Sequence, residues 1–142
     1  EDCPEFVERW TGYKRALAEA GLVQDPRLRL DAAPSDEAGR SAALRLLEQD
    51  LAFDAVFATS DFVAIGAMRA LHEAGLYIPG DVSIVGFDDI AAARLSEPPL
   101  TTISQDTRLA GETLVETLIA NIEGLAPESA LLPVRLVVRG SS

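Results

Sequence analysis

The sequence predicts an α/β fold built on a doubly wound parallel sheet, and three observations carry that expectation. Short apolar runs alternate with longer segments of helical period along the chain. One of those runs, Ala55 to Ala58, is wholly apolar, as expected for a parallel strand covered on both faces. Another, Val82 to Val85, stops at Gly86 and delivers two carboxylates, Asp88 and Asp89, to a strand end. In open α/β sheets the carboxyl ends of the strands are where ligands are held.

Each element follows from local signals. Pro4 to Ala20 reads as a helix, with proline in its first turn and Gly21 as its stop. Phe6, Trp10, Tyr13 and Leu17 fall at helical spacing and form its expected buried stripe. A short strand is expected around Leu28 to Leu30. Ser35 or Asp36 can cap the next helix, whose apolar positions are Ala43, Leu44, Leu47 and Leu51. After the strand Ala55–Ala58, Thr59-Ser60-Asp61 makes the turn into a third helix that ends at Gly75. Val82 to Gly86 is the next strand, followed by a short helical stretch around Ile90 to Leu95 and a break at Pro98-Pro99. Leu100 to Ile103 resembles a further strand. Thr107 to Glu123 is a long helix with Leu109, Thr113, Leu114, Leu118 and Ile122 at core spacing, stopped by Gly124. Leu131 to Val138 is the last strand.

Bulk composition narrows the function. The 142 residues suffice for one domain with a real core, and 48% apolar with 25% charged residues is globular. Twelve Lys and Arg against 23 Asp and Glu give a net charge of −11. Such a surface repels a phosphate backbone, so contact with DNA requires another, basic domain. One cysteine, Cys3, and one histidine, His72, exclude an intramolecular disulfide and the usual His/Cys metal clusters, and they favour a reduced, cytoplasmic setting. No metal or cofactor is expected. No apolar run approaches membrane-spanning length, and Glu-Asp-Cys-Pro-Glu is not a signal peptide. The acidic start that leads straight into a helix reads as a cut end. No phosphate loop and no His–Ser pair is evident, so no enzyme activity is expected.

Several segments in order resemble the effector-binding domain of the lactose-repressor (LacI/GalR) family of bacterial transcription regulators. They are Arg9-Trp10-Thr11-Gly12-Tyr13, Gly39, Ala55-Val56-Phe57-Ala58-Thr59-Ser60-Asp61, Ala64 to Leu71, Gly75-Leu76, Ile78-Pro79, Val85-Gly86-Phe87-Asp88-Asp89, Pro98 to Ile103, and Leu131 to Ser141. The similarity runs from about Phe6 to Ser141, and the ordered set is far more specific than any single piece. The resemblance implies a periplasmic-binding-protein-like (type I) fold in which two subdomains close on a small molecule. Residues 1–142 would be the C-terminal part of that domain, incomplete, with 107–123 belonging to the other subdomain. The DNA-reading helix-turn-helix and most of the first subdomain would lie upstream.

The resemblance also nominates an effector site. Asp88 matches a family position that contacts the effector, and an ionised carboxylate accepts from two adjacent hydroxyls. Its alternative is that Asp88 or Asp89 caps the following helix. Arg9 matches the family's ligand-binding arginine, with a rigid fork of donors; its alternative is a solvated helix surface. Ser60 and Asp61 stand where relatives carry Asn-Asp, and either could instead serve as a helix cap. Gln105 lies where the chain would cross between subdomains, as a ligand contact or a plain crossover residue. Pro34 stands near where many relatives place an aromatic ring. Three aspartates at one crevice disfavour an anion and point to a neutral, hydroxyl-rich ligand, a sugar or nucleoside-like molecule. In the family the helix from Asp61 to Ala74 and the segment after Asp89 help form a homodimer, for which Val63, Ala67 and Leu95 are the candidates, with core packing as the alternative. The competing functions are a periplasmic sugar-binding protein of an uptake system and a flavodoxin-like enzyme or response regulator. A chain that starts after the first strand of its sheet would leave strand edges and apolar helix faces open.

Overall fold

The architecture was determined as a computed structural model that describes residues 4–49 and 51–142. Cys3, the single cysteine, lies outside the described residues. Among the described residues, five helices, α1 (Pro4–Glu19), α2 (Asp36–Glu48), α3 (Asp61–Glu73), α4 (Ala91–Leu95) and α5 (Thr107–Ile122), alternate with four strands, β1 (Ala55–Phe57), β2 (Ser83–Asp88), β3 (Thr101–Gln105) and β4 (Val134–Val137). The strands form one sheet in the order β1-β2-β3-β4. The first three are parallel, with Val56 opposite Ile84 and Val85 opposite Thr101. The fourth runs antiparallel to β3, with Gln105 opposite Val134. The α/β class is as expected, but the sheet is mostly rather than wholly parallel.

The local signals explain the helix ends. Ser35 caps α2 by accepting from the Ala38 amide, and Ser60 caps α3 by accepting from the Val63 amide. Gly75 and Gly124 sit in the left-handed region just past α3 and α5, where glycine meets no Cβ penalty. The strand expected at Leu28–Leu30 is absent. Asp25 accepts from the Arg27 amide and starts a single 3-10 turn, Pro26–Leu28, and the extended residues beyond it have no strand to pair with.

The core lies between α3 and the sheet: Ala58, Ala64, Met68, Leu71, Ile78, Val82, Ile84, Ala93 and Leu100 are all buried there. Small residues let α2 and α3 touch along Ala43, Ala67 and Ala70. The two helices are also strapped by Arg40–Glu73 at 2.6 Å and Arg69–Asp36 at 3.4 Å. On the other side burial falls away. The α1 stripe is only half-buried, docked through a stack of Trp10 on Tyr13 and Tyr13 on Phe57, with centroids 5.3 and 6.0 Å apart. The outer strand β1 is not covered on both faces, since Ala55 and Phe57 are exposed. In α5 no residue is buried, and the positions expected in a core at Leu114, Leu118 and Ile122 face outward.

The α2–α3 seam makes a sharp prediction. A Cβ on Gly66 would overlap the Asp36 carbonyl oxygen, and one on Gly39 would overlap the Val63 carbonyl oxygen. Gly66→Ala gains about 1 kcal/mol of helix propensity, yet overpacking at rigid backbone costs about 1–3 kcal/mol or more. The expected outcome is net destabilisation, read as a lower urea midpoint, whereas Gly111→Ala on exposed α5, where a Cβ meets nothing within 4 Å, is neutral or stabilising.

Candidate functional site

Because β1, β2 and β3 run in the same direction, their carboxyl ends gather at one edge of the sheet, and the chain leaves that edge at Thr59, Asp88 and Gln105. Arg9 reaches this edge from α1. Its Nη1 donates to the Thr59 carbonyl oxygen at 2.7 Å, and its guanidinium carbon lies 3.7 Å from the centre of the Phe87 ring. One arginine thus bridges the ends of two strands. On the opposite side Gln105 Nε2 donates to Asp88 Oδ1 at 2.8 Å, so the ends of β2 and β3 are joined by their side chains as well as by the ladder.

The three neighbouring aspartates have separate fates. Asp88 has a φ of 113° and Asp89 a φ of 53°, a region that non-glycine residues seldom occupy. Asp88 is half-buried at the strand-end edge with the neutral Gln105 as its partner. Asp89 turns inward and is held by Arg139 through a short charged hydrogen bond and by Arg94 at 3.3 Å. Burial pushes the Asp89 carboxyl up, but the two guanidinium groups outweigh it and hold the group below the ordinary value. Neither aspartate caps α4, whose N-cap is Ile90 with no side-chain bond.

Asp61 is fully buried. Thr102 Oγ1 donates to its Oδ1 at 2.5 Å and the Ile90 amide to its Oδ2 at 2.9 Å. Burial raises its pKa against the pull of those two bonds, and the nearby charges of Asp88 and Asp89 add to the rise. Ser60 is buried too, with its hydroxyl on the Val63 amide. The expectation that Ser60 and Asp61 face an effector is therefore corrected: both oxygens of Asp61 are used inside the fold, and Ser60, not Asp61, is the cap. The dimer candidates divide in the same way. Val63 and Ala67 are buried in this chain's own core, where Val63 meets Gly39 and Ala67 meets Ala43, while Leu95 is exposed.

Some residues that matter here lie inside the matching segments but were given no role from sequence. Phe87 supplies the aromatic face under Arg9. Arg139 also donates to the Leu100 carbonyl oxygen at 2.7 Å, and buried Ser141 accepts from the Thr101 amide and donates to the Ile84 carbonyl oxygen. The C-terminal residues thus tie β2, β3 and the Asp89 turn together. The one available hint was a buried glycine inside a strand, Gly86, which marks a close approach.

A cavity of about 240 Å³ lies elsewhere, between the aromatic face of α1, residues Leu28–Ala32 and the unpaired side of β1. It touches the strand-end edge at Thr59 but includes neither Asp88 nor Gln105. Its lining mixes the aromatic rings of Phe6, Trp10 and Tyr13 with the polar groups of Gln24, Asp25, Arg29 and Asp31, beside the open edge of β1. Among the described residues no group of three or more His, Cys, Asp or Glu side chains is placed to hold a metal ion. No helix among them is long and apolar enough to cross a membrane.

A sequence profile described as a periplasmic binding protein-like domain matches residues 1–142. The chain belongs to that family, in the form found in LacI-type transcriptional regulators. It is 38% identical over 138 residues to the HTH-type transcriptional regulator CelR of Thermobifida fusca, covering 97% of this chain and 39% of that protein. It is 42% identical over 115 residues to the ribose operon repressor of Haemophilus influenzae, covering 81% of this chain and 35% of that protein. Among solved structures it superposes on a CelR–cellobiose complex with a TM-score of 0.90 at 37% identity, covering 96% of this chain and 42% of that one. Against the lac repressor bound to ONPG the TM-score is 0.89 at 34% identity, covering 97% and 42%. The chain spans about two fifths of the length of these curated relatives.

The Asp89 arrangement has a measurable pH signature. A carboxyl depressed in the fold contributes stability above its ordinary pKa of 3.8 that is lost as pH falls through the folded value. Arg139→Met should cost about 3 kcal/mol at pH 7, because it strips a buried carboxylate of its main partner. The gap from the parent chain should shrink as pH falls below 3.8, in urea unfolding followed across pH. Asp61, with its pKa raised, works in the opposite sense. Its contribution is full below 3.8 and lost as pH rises through its folded value.

Proposed function

We propose that this chain is the C-terminal part of the effector-binding domain of a LacI-family transcriptional regulator, and that Arg9, Asp88 and Gln105 contact a neutral, hydroxyl-rich effector. The observation that carries the reading is that all three side chains stand at the carboxyl ends of the parallel strands, Arg9 on Thr59 and Phe87 and Gln105 on Asp88. The carboxylate and amide oxygens accept from hydroxyls, and the guanidinium donates to them above an apolar ring. That set suits a sugar or a nucleoside-like molecule. Effector occupancy would shift the closure of two subdomains and so the placement of a DNA-reading helix-turn-helix upstream, in the cytoplasm. The regulator relatives support this over a periplasmic uptake protein. A cellobiose complex of CelR supports a sugar as the ligand class, and the phosphate complex of another LacI-family relative is why sugar phosphates belong in the screen. No cofactor or catalytic step is part of the reading.

The same reading assigns the uncovered surfaces. Residues 107–123, whose helix buries nothing in this chain, belong with the other subdomain, and the open side of β1 belongs against the remainder of the domain. Leu95 is left as the candidate contact of a homodimer. The 142-residue chain alone should therefore self-associate, and sedimentation giving a stable, soluble monomer would count against this assignment.

The effector reading is tested by a thermal-shift screen of neutral sugars, nucleosides and sugar phosphates on the full-length protein. A neutral sugar or nucleoside should raise the melting temperature, and Asp88→Ala or Arg9→Ala should weaken it about 10- to 100-fold, as loss of a charge-assisted hydrogen bond does. A sugar phosphate binding much more tightly than its parent sugar would overturn the ligand class. Unchanged affinity in Asp88→Ala would overturn the site.

A further inference from the structure

We propose that Asp61 is the positioning residue of the crevice, fixing the β2–α4 turn in the conformation that presents Asp88. This rests on the reading of Asp88 as an effector contact. Asp61 neither caps α3, which Ser60 does, nor pairs with a cation among the described residues. A buried carboxylate without a cation is costly unless its oxygens are bonded, so what those oxygens hold is the informative question. One holds Thr102 on β3 and the other holds the amide of Ile90, the residue directly after Asp88-Asp89.

The turn needs such a hold. Two consecutive non-glycine residues at positive φ persist only where their surroundings enforce them. Arg139 and Arg94 grip the turn at the Asp89 side chain, and Asp61 grips it at the Ile90 backbone from inside the fold. Gly86 provides the room. A Cβ there would overlap Asp61 Oδ1 and would lie 3.0 Å from Leu100 Cδ2 and 3.3 Å from Ala64 Cβ. Three separated pieces of sequence, Ser60-Asp61, Gly86-Phe87-Asp88-Asp89 and Thr101-Thr102, are therefore one device. It sets where the crevice carboxylate stands before any ligand arrives.

Hydrogen exchange on the full-length protein without ligand tests this, together with crystal structures of the variants. In Asp61→Ala, exchange in the segment holding Ile90 should rise about tenfold while the α2–α3 seam keeps its protection. Asp88 should leave its φ near 113° and lose its 2.8 Å contact with Gln105. Thr102→Val should show a smaller rise, and Thr102→Ser, which keeps the hydroxyl, should match the parent. An Asp61→Ala turn with parental exchange and geometry would overturn the proposal. Should Asp61→Ala loosen the whole chain, the threonine pair decides: a local rise in Thr102→Val alone supports positioning, and identical behaviour of the two variants overturns it. No effector is needed for these measurements, so they fail or succeed independently of the Asp88 binding test.

Discussion

A buried carboxylate joins the parts of this structure that sequence keeps apart. Asp61 opens α3, the helix that carries most of the core, and its two oxygens reach β3 at Thr102 and the β2–α4 turn at Ile90. Parallel strands cannot be joined by tight hairpins, so their relative placement depends on crossovers and on contacts between crossover and strand end. Here the contact is made by a charged group with no solvent around it. That is an expensive way to fasten a sheet, and an apolar side chain would fasten it more cheaply. The carboxylate is directional where an apolar side chain is not: it fixes which N–H and which O–H stand where. The consequence is a strand-end surface with defined geometry.

The C-terminal tail supplies the complementary restraint. Arg139 holds Asp89, and Ser141 stands between β2 and β3 where their ladder begins, bonded to Ile84 on one side and Thr101 on the other. Gly140 lies against Pro98 and Pro99, where an added Cβ would come within 3.1 Å of Pro98 Cβ. The turn that carries Asp88 is therefore clamped from the helix side by Asp61 and from the tail side by Arg139. The tail follows β4, so the antiparallel strand and the clamp on this turn are continuous in the chain.

Much of the fold was legible because its signals are local. Helical period, caps and glycine stops placed α1, α3 and α5 within a residue or two, Ser35 marked the start of α2 although its apolar stripe was carried on to Leu51, three residues past its end, and the β-branched run ending at Gly86 marked β2. The errors share one physical cause. A strand exists only against a partner, and Leu28–Leu30 has the composition of a strand but no neighbour to pair with. An apolar stripe says that a helix face seeks cover and not what covers it, which is why Leu114, Leu118 and Ile122 read as core and stand exposed. At the candidate site, Arg9, Asp88 and Gln105 were nominated because strand ends and motif order point to them, and the fold places all three at the strand-end edge. Asp61 was assigned to the crevice because sequence cannot tell a carboxylate facing outward from one facing inward. Arg139 was missed because its partner lies 50 residues away.

The separate fates of the aspartates bear on what the crevice can hold. Counted from sequence, three carboxylates converge on it and would repel any acceptor-rich ligand. In the fold Asp61 spends both oxygens on Thr102 and Ile90, and Asp89 is matched by Arg139 and Arg94. Asp88, bonded to a neutral amide, is left as an acidic group at the strand-end edge that Arg9 also reaches. One negative and one positive group at that edge, with an aromatic face beneath the positive one, are close to balanced in charge and rich in directional bonds. Such a surface gains most from a molecule that donates on one side, accepts on the other and carries no net charge. The neutral polyol proposed as effector thus rests on one acid and one base at the strand ends, a different ground from the repulsion by three acids that composition alone implied.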